Sequence, residues 1–300
     1  MSLGAESQPA GWSVWFLAAR PKTLFAGISP VLIGVAMAAA DGASHIPAAL
    51  CALFGGMLIQ IGTNYANDYF DFVKGTDTEE RLGPTRATQA GLVTPAQIKA
   101  AAAITFGLSA AIGLYLVYRG GWPIAVIGVL SILFGVLYTA GPYPLGYIGL
   151  GDVFVLVFFG PVAVGGTYYV QAVTVTPEAL FAGLAPGLLA TAILAVNNLR
   201  DIAGDRKAGK RTLAVRFGAA FARVEYIVCV LVACFLTPAG LCLGTRGHYP
   251  ALVSWLALLV AAPNIRSVLR EEGQVLNHTL AGTGKLTFLF SVLFSVGWLL

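Results

Sequence analysis

The chain has 300 residues, 57% of them hydrophobic and 11% charged, with a formal net charge of +4. Soluble domains carry about 25% charged residues, so this composition and a mean hydropathy of +0.79 exclude an ordinary water-soluble domain. They define an all-α polytopic membrane protein, and so small a net charge in so apolar a chain gives no reason to expect a nucleic-acid partner.

Residues 1–18 read as an N-terminal tail. Residues 1–10 are polar and the first apolar run lacks a cleavage site, so no removable signal peptide is expected. Nine apolar segments follow, at about 23–40, 46–66, 96–118, 122–139, 150–171, 178–198, 222–243, 249–263 and 284–300. A bilayer span takes roughly 17–25 apolar residues. The 36 glycines suit close helix packing in lipid. No linker or low-complexity tract divides the chain, which implies one membrane domain over 1–300 with nine transmembrane helices around a central cavity. Cys51, Cys229, Cys234 and Cys242 lie in or beside apolar runs and read as small apolar filler. His45, His248 and His278 are scattered, and no zinc site is expected.

The basic residues orient this scheme. With nine spans, every Lys and Arg of the 18 except Arg119 and Arg246 falls on one side. The positive-inside rule puts that side, the N-terminus included, in the cytoplasm, and the C-terminus outside. The plasma (bacterial inner) membrane is the expected location. Long polar loops at about 67–95 and 199–221 then face the cytoplasm, and function concentrates on such loops.

The first of these loops begins with the acidic stretch Asn64–Asp77. Asn64, Asn67, Asp68 and Asp71 recur at i, i+3, i+4 and i+7, one face of a helix. Like charges so close to hydrocarbon need a cation. The second loop begins with Asn197, Asp201 and Asp205, again spaced by four. An apolar helix, an asparagine and then aspartates occur twice on the same side. Hard divalent cations take oxygen ligands, and Mg²⁺ is commonly held by one or two carboxylates plus substrate phosphates. Two facing clusters suit Mg²⁺ bridging a diphosphate. Arg20, Lys22, Arg81, Arg86, Arg200, Arg206, Lys207 and Lys210 are available for the remaining phosphate charge. The plainer alternative is a pair of solvated loops whose acids and bases simply pair; topology alone also accounts for much of the run 206–211. A cation-coupled transporter would carry its acids at mid-membrane rather than at helix ends, and a scaffold needs no matched acid clusters.

Longer strings narrow the field. Arg20-Pro-Lys-Thr, Ala66-Asn-Asp-Tyr-x-Asp-x-x-Lys-Gly-x-Asp77, Arg81-x-Gly-Pro-x-Arg86, Gly146-Tyr-Ile-Gly-Leu-Gly-Asp152 and Asn197-Asn-Leu-Arg-Asp-x-x-x-Asp-Arg206 resemble the UbiA superfamily of intramembrane aromatic prenyltransferases. Within it they are most similar to the 1,4-dihydroxy-2-naphthoate polyprenyltransferase (MenA) branch. The strings run from residue 20 to about 218; the last two segments carry none. The third acid of the first motif stands at Asp77, with Gly75 at the position the wider superfamily often uses.

The resemblance implies Mg²⁺ held by Asp68, Asp71, Asp201 and Asp205, with Asp77 the weakest member. It implies a polyprenyl diphosphate donor, with the tail in an apolar groove open to the bilayer, and 1,4-dihydroxy-2-naphthoate as acceptor, prenylated with loss of CO₂. Asn64, Asn67 and Asn198 would orient ligands or waters. Lys74, Asn197 and Tyr147 join the basic residues as substrate contacts. Tyr138 matches a family tyrosine beside the allylic cation, although a tyrosine at a membrane interface is also ordinary aromatic-belt placement. The glycine-rich stretch Gly146–Asp152 reads either as a cap over the site or as a tight interhelical turn with Asp152 as a helix cap. A related enzyme acting on 4-hydroxybenzoate, homogentisate, a chlorin or a sugar phosphate is the principal rival.

Overall fold

The computed structural model describes residues 11–76, 81–245 and 247–300, and these are helical and irregular with no strand. Asp77 and Arg246 lie outside the described residues. The helices are α1 (Trp12–Ala19), α2 (Pro21–Ala40), α3 (Ile46–Val73), α4 (Pro95–Gly120), α5 (Trp122–Leu137), α6 (Gly151–Ala172), α7 (Pro177–Lys207), α8 (Leu213–Thr245), α9 (Tyr249–Arg270) and α10 (Gly273–Leu299). Among the described residues eight of these are long and apolar enough to span a bilayer, and α5, with 16 residues, is a shorter apolar helix.

Local chemistry sets the boundaries. Pro21 opens α2, and Arg20 before it is left-handed at φ 53°, so α1 and α2 meet at a sharp corner. The His45 ring accepts the Ala48 N–H at the start of α3. Thr94 and Gln97 form a reciprocal capping box ahead of α4. The interior of α6 holds a π-turn, Phe158–Val162, where Pro161 removes a donor. At this bend α6 crosses α7 backbone to backbone. A Cβ on Gly187 would stand 2.4 Å from the Leu156 carbonyl, and one on Gly160 2.7 Å from that of Gly183. Only glycine permits this crossing.

Several boundaries differ from those the sequence suggests. The second expected loop, about 199–221, is mostly helix, because α7 continues to Lys207 and α8 already starts at Leu213, so Asp201 and Asp205 lie on a helix. Trp12–Ala19, expected within a tail, is a helix docked on α3. The Tyr65 hydroxyl donates to the Trp15 carbonyl at 3.2 Å, and the two rings meet edge to face. Trp12 and Phe16 on its other side are exposed, as suits an aromatic helix at a membrane surface. α3 runs on through Val73, so the acidic stretch is the end of a helix 28 residues long, not the start of a loop. At 1.5 Å per residue that is about 42 Å, more than the roughly 30 Å hydrocarbon core. The last helix begins well before residue 284. Its polar residues Thr279, Thr283, Thr287 and Ser291 are buried and recur every four positions. The hydroxyls of Thr283, Thr287 and Ser291 each donate to the carbonyl one turn back at 2.8–2.9 Å. Hydroxyls satisfied in this way cost little inside a bundle, but they hide the helix from a hydropathy reading.

The end of the bundle away from the acidic helix termini is tied together by polar contacts. Arg119 donates to the last carbonyls of α6, Val170 at 2.6 Å and Gln171 at 2.9 Å. Its charge therefore complements a helix C-terminus. Gln171 accepts the His45 N–H, and the Tyr168 hydroxyl donates to Asp41.

A charged cavity between α3 and α7

A cavity of about 670 Å³ runs through the bundle. Its apolar part lies among α2 to α6, reaching Ile124 and Val170. Its polar end is formed by Arg20, the termini of α3 and α7, and the segments after them.

From α3, Asn64, Asn67 and Asp71 line the cavity. The Asn64 amide donates to the Ala19 carbonyl and to the Thr23 hydroxyl, which also accepts from Gln60. This chain holds the corner at Arg20 against the cavity mouth. Asn67 accepts from Thr139 at 2.9 Å. The Asp71 carboxylate is 2% exposed and fully engaged. Arg86 donates to one oxygen at 2.6 Å, and the Tyr147 hydroxyl to the other at 2.5 Å.

Asp68 departs from expectation. It is buried but does not line the cavity. Its two oxygens accept the Ala87 and Thr88 backbone N–H groups, at 3.0 and 3.2 Å. A helix turns about 100° per residue, and one i+4 step from Asn64 is enough to carry Asp68 past the cavity edge toward the segment between α3 and α4. There it anchors the turn that presents Arg86 to Asp71. In this arrangement Asp68 anchors the loop while Asp71 faces the cavity.

From α7, Asn197, Asn198, Asp201 and Asp205 line the cavity. Arg200, 3% exposed, forks onto its neighbour Asp201 at 2.8 and 2.6 Å and onto Asn197 at 2.7 Å. Past the helix end, Lys210 stands 3.6 Å from Asp205 and 4.0 Å from Asp71. The two acidic helix ends thus meet across one ammonium group. Among the described residues no three His, Cys, Asp or Glu side chains converge as a complete metal cage.

The segment between α5 and α6 lies against the site, but Asp152 does not cap α6: it sits inside the first turn, after Leu150 at the N-cap position, and makes no capping hydrogen bond. A Cβ on Gly146 would lie 2.8 Å from the Tyr138 ring, and one on Gly151 3.1 Å from its hydroxyl. The bare backbone cradles Tyr138 at the cavity wall, while Tyr147 reaches over to Asp71. Lys74 is taken up by this segment rather than by the cavity. It donates to the Thr139 and Gly141 carbonyls at 2.8 and 3.0 Å and lies over the Tyr147 ring. Partial desolvation lowers its pKa, opposed by the Asp71 charge. Arg20, Arg81, Arg86 and Lys210 line the cavity. Lys22 and Arg206 are exposed and do not. Asn277 on α10, absent from the motifs, accepts from Arg200 at 2.6 Å. The four-residue polar period of its helix, Thr279 to Ser291, does not include it.

Fold and cavity together define an integral membrane protein whose apolar chamber ends in paired carboxylates and cations. The chain belongs to the UbiA prenyltransferase family, whose model matches residues 27–298. It is 40% identical to the 1,4-dihydroxy-2-naphthoate octaprenyltransferase of Escherichia coli K12, over 97% of each chain. It is 42% identical to the enzyme of that name from Mycobacterium tuberculosis, over 93% of this chain and 98% of that one. Its fold is similar to that of a UbiA homolog from Archaeoglobus fulgidus bound to GPP and Mg²⁺. The TM-score is 0.68 at 16% identity, over 95% of this chain and 99% of the other.

Proposed function

We propose that the protein transfers a polyprenyl group from a polyprenyl diphosphate to 1,4-dihydroxy-2-naphthoate, with loss of the acceptor carboxylate as CO₂, giving demethylmenaquinol, the hydroquinone form of demethylmenaquinone. The near-full-length identity to enzymes of that name carries this reading. The meeting of Asp71 and Asp205 at the polar end of an apolar chamber supports it.

Asp71 from α3 and Asp201 and Asp205 from α7 offer hard oxygen donors at the polar end of the cavity, and among the described residues no three acids form a cage. That donor set suits Mg²⁺, which accepts one or two carboxylates and completes its shell with phosphate oxygens and water. Held by these carboxylates, Mg²⁺ would supply positive charge to the diphosphate and Lewis-acid assistance to its departure.

The protein's own side chains do the rest. Arg81, Arg86 and Lys210 exchange their carboxylate and loop contacts for phosphate oxygens. The C–O bond of the donor breaks with its electron pair on the diphosphate; the naphthoate carbon that bears the carboxylate bonds to the allylic carbon, and its bond to the carboxylate then breaks as CO₂ leaves, the pair restoring the aromatic ring. Tyr138 presents its ring to the allylic carbon, where a π-face stabilises positive charge. The chamber among α2 to α6 holds the prenyl tail and excludes water from the cation. Tyr147 holds Asp71 in place.

The protein belongs in the plasma (inner) membrane, with the acidic end and N-terminus cytoplasmic, following the asymmetry of its basic residues. Arg119, on the other side, is explained locally by its helix-capping role.

The test is transfer by purified protein in proteoliposomes, read by product mass, with 4-hydroxybenzoate and homogentisate as competing acceptors. We expect prenylation of the naphthoate alone, abolished by EDTA and restored by Mg²⁺. Full activity in EDTA overturns the metal assignment, and preferred transfer to another acceptor overturns the substrate.

A further inference from the structure

Asn277, on the first turn of α10, contacts two parts of the site from outside it. Its Oδ1 accepts from Arg200 Nη1 at 2.6 Å, and its Nδ2 donates to the Leu82 carbonyl at 2.9 Å. Arg200 in turn forks onto Asp201. The next residue, Gly83, lies directly on the guanidinium. A Cβ there would stand 2.7 Å from Arg200 Nη2 and 3.1 Å from its central carbon. Helix α10, the segment Arg81–Gly83 and the Arg200–Asp201 fork are therefore stacked in one assembly.

We propose that Asn277 is a positioning residue for the donor half of the reaction, an inference that rests on the function proposed above. One amide sets two things together: the height of the segment that brings Arg81 to the cavity, and the rotation of the guanidinium that aims Asp201. Arg200 is buried, so loss of the Asn277 oxygen strands a guanidinium donor, and a buried donor reorients to find another partner. Loss of the Asn277 N–H frees Leu82. Both changes disturb diphosphate and metal binding. Neither touches the apolar chamber.

The experiment compares wild type with Asn277→Ala, Asn277→Asp and Gly83→Ala. The first readout is binding of an unreactive prenyl thiolodiphosphate with Mg²⁺; the second is hydrogen exchange over residues 81–85. Asn277→Ala is expected to raise the dissociation constant and the half-saturating Mg²⁺ about tenfold and to speed exchange at 81–85, leaving the KM for the aromatic acceptor unchanged. Asn277→Asp keeps the oxygen for Arg200 but not the donor to Leu82. It should exchange as fast as the alanine variant while recovering much of the binding. Gly83→Ala, which pushes the fork from the other side, should weaken binding in the same sense, and it serves if Asn277→Ala does not fold. Wild-type binding and exchange in the alanine variant, or equal losses for donor and acceptor, overturn the proposal. If the wild type binds the analogue but prenylates no naphthoate, the proposed function fails, and the binding comparison still decides the role of Asn277.

Discussion

Asp71 and Asp205 meet across a single ammonium: Lys210 Nζ is 4.0 Å from the first and 3.6 Å from the second. Each cavity carboxylate has a resident cation, Arg86 for Asp71, Arg200 for Asp201 and Lys210 for Asp205. Loading the site with metal and diphosphate is therefore an exchange of partners, not the filling of bare charge.

Lys210 separates the two carboxylates before substrate arrives. Replacing it with Met leaves two like charges facing one another. Lys210→Met is expected to melt several degrees lower without metal and to gain more from added Mg²⁺ than the wild type. Its KM for the prenyl diphosphate should rise at least tenfold. Thermal melts with and without Mg²⁺ check the sign.

Tyr147→Phe removes the hydroxyl that donates to Asp71 at 2.5 Å and leaves the ring in place over Lys74 and Lys210. Hydrogen bonds to charged groups contribute about 1.5–3 kcal/mol, so kcat/KM should fall roughly ten- to hundredfold by that measure. The melting temperature should also fall by some degrees, because the same hydrogen bond stabilises the folded chain, while the ring packing survives. Steady-state kinetics beside a melt separate the two.

Asp68 and Asp71 are close in sequence and differ in their partners, backbone N–H groups for the first and Arg86 and Tyr147 for the second. Asp68→Ala releases the turn at Ala87 and Thr88, destabilising by about 1–3 kcal/mol. Asp68→Asn keeps an acceptor and should recover part of the loss. Asp71→Asn should stay nearly inactive at any Mg²⁺ concentration, since it lacks the charge. Mg²⁺ titrations of all three variants test the distinction; a common defect in metal dependence would show that Asp68 acts at the cavity after all.

Gly146→Ala places a methyl group 2.8 Å from the Tyr138 ring. Overpacking of this kind costs about 1–3 kcal/mol. The ring should be displaced from the cavity wall, lowering kcat more than it raises the donor KM. Pairing it with Tyr138→Ala tests the cause: if the glycine acts through the ring, the double variant is no worse than Tyr138→Ala alone.

Much of the fold is legible in the chain. The apolar segments match the helices because hydrocarbon selects apolar runs of a set length. The exceptions have local reasons. Three of the α10 hydroxyls donate to backbone carbonyls one turn back and Thr279 pairs with Ser267, so Thr279, Thr283, Thr287 and Ser291 read as polar while being buried. α1 is only eight residues long and holds its place through Tyr65, a contact distant in sequence.

By itself the sequence determined that two asparagine–aspartate stretches end apolar helices on the basic side, because helical spacing and charge asymmetry are properties of neighbouring residues. It also marked the glycine-rich segment and the tyrosines. Only the tertiary structure decided which way each side chain serves. Periodicity assigns residues to a helix face, but not the edge of that face that meets a cavity, and so Asp71 lines it while Asp68 turns to backbone N–H groups. Which cation neutralises which acid, and the reach of Asn277 from α10 to Arg200 and Leu82, depend on helices brought together across the bundle. Those pairings are set by packing between distant segments, and no local spacing encodes them.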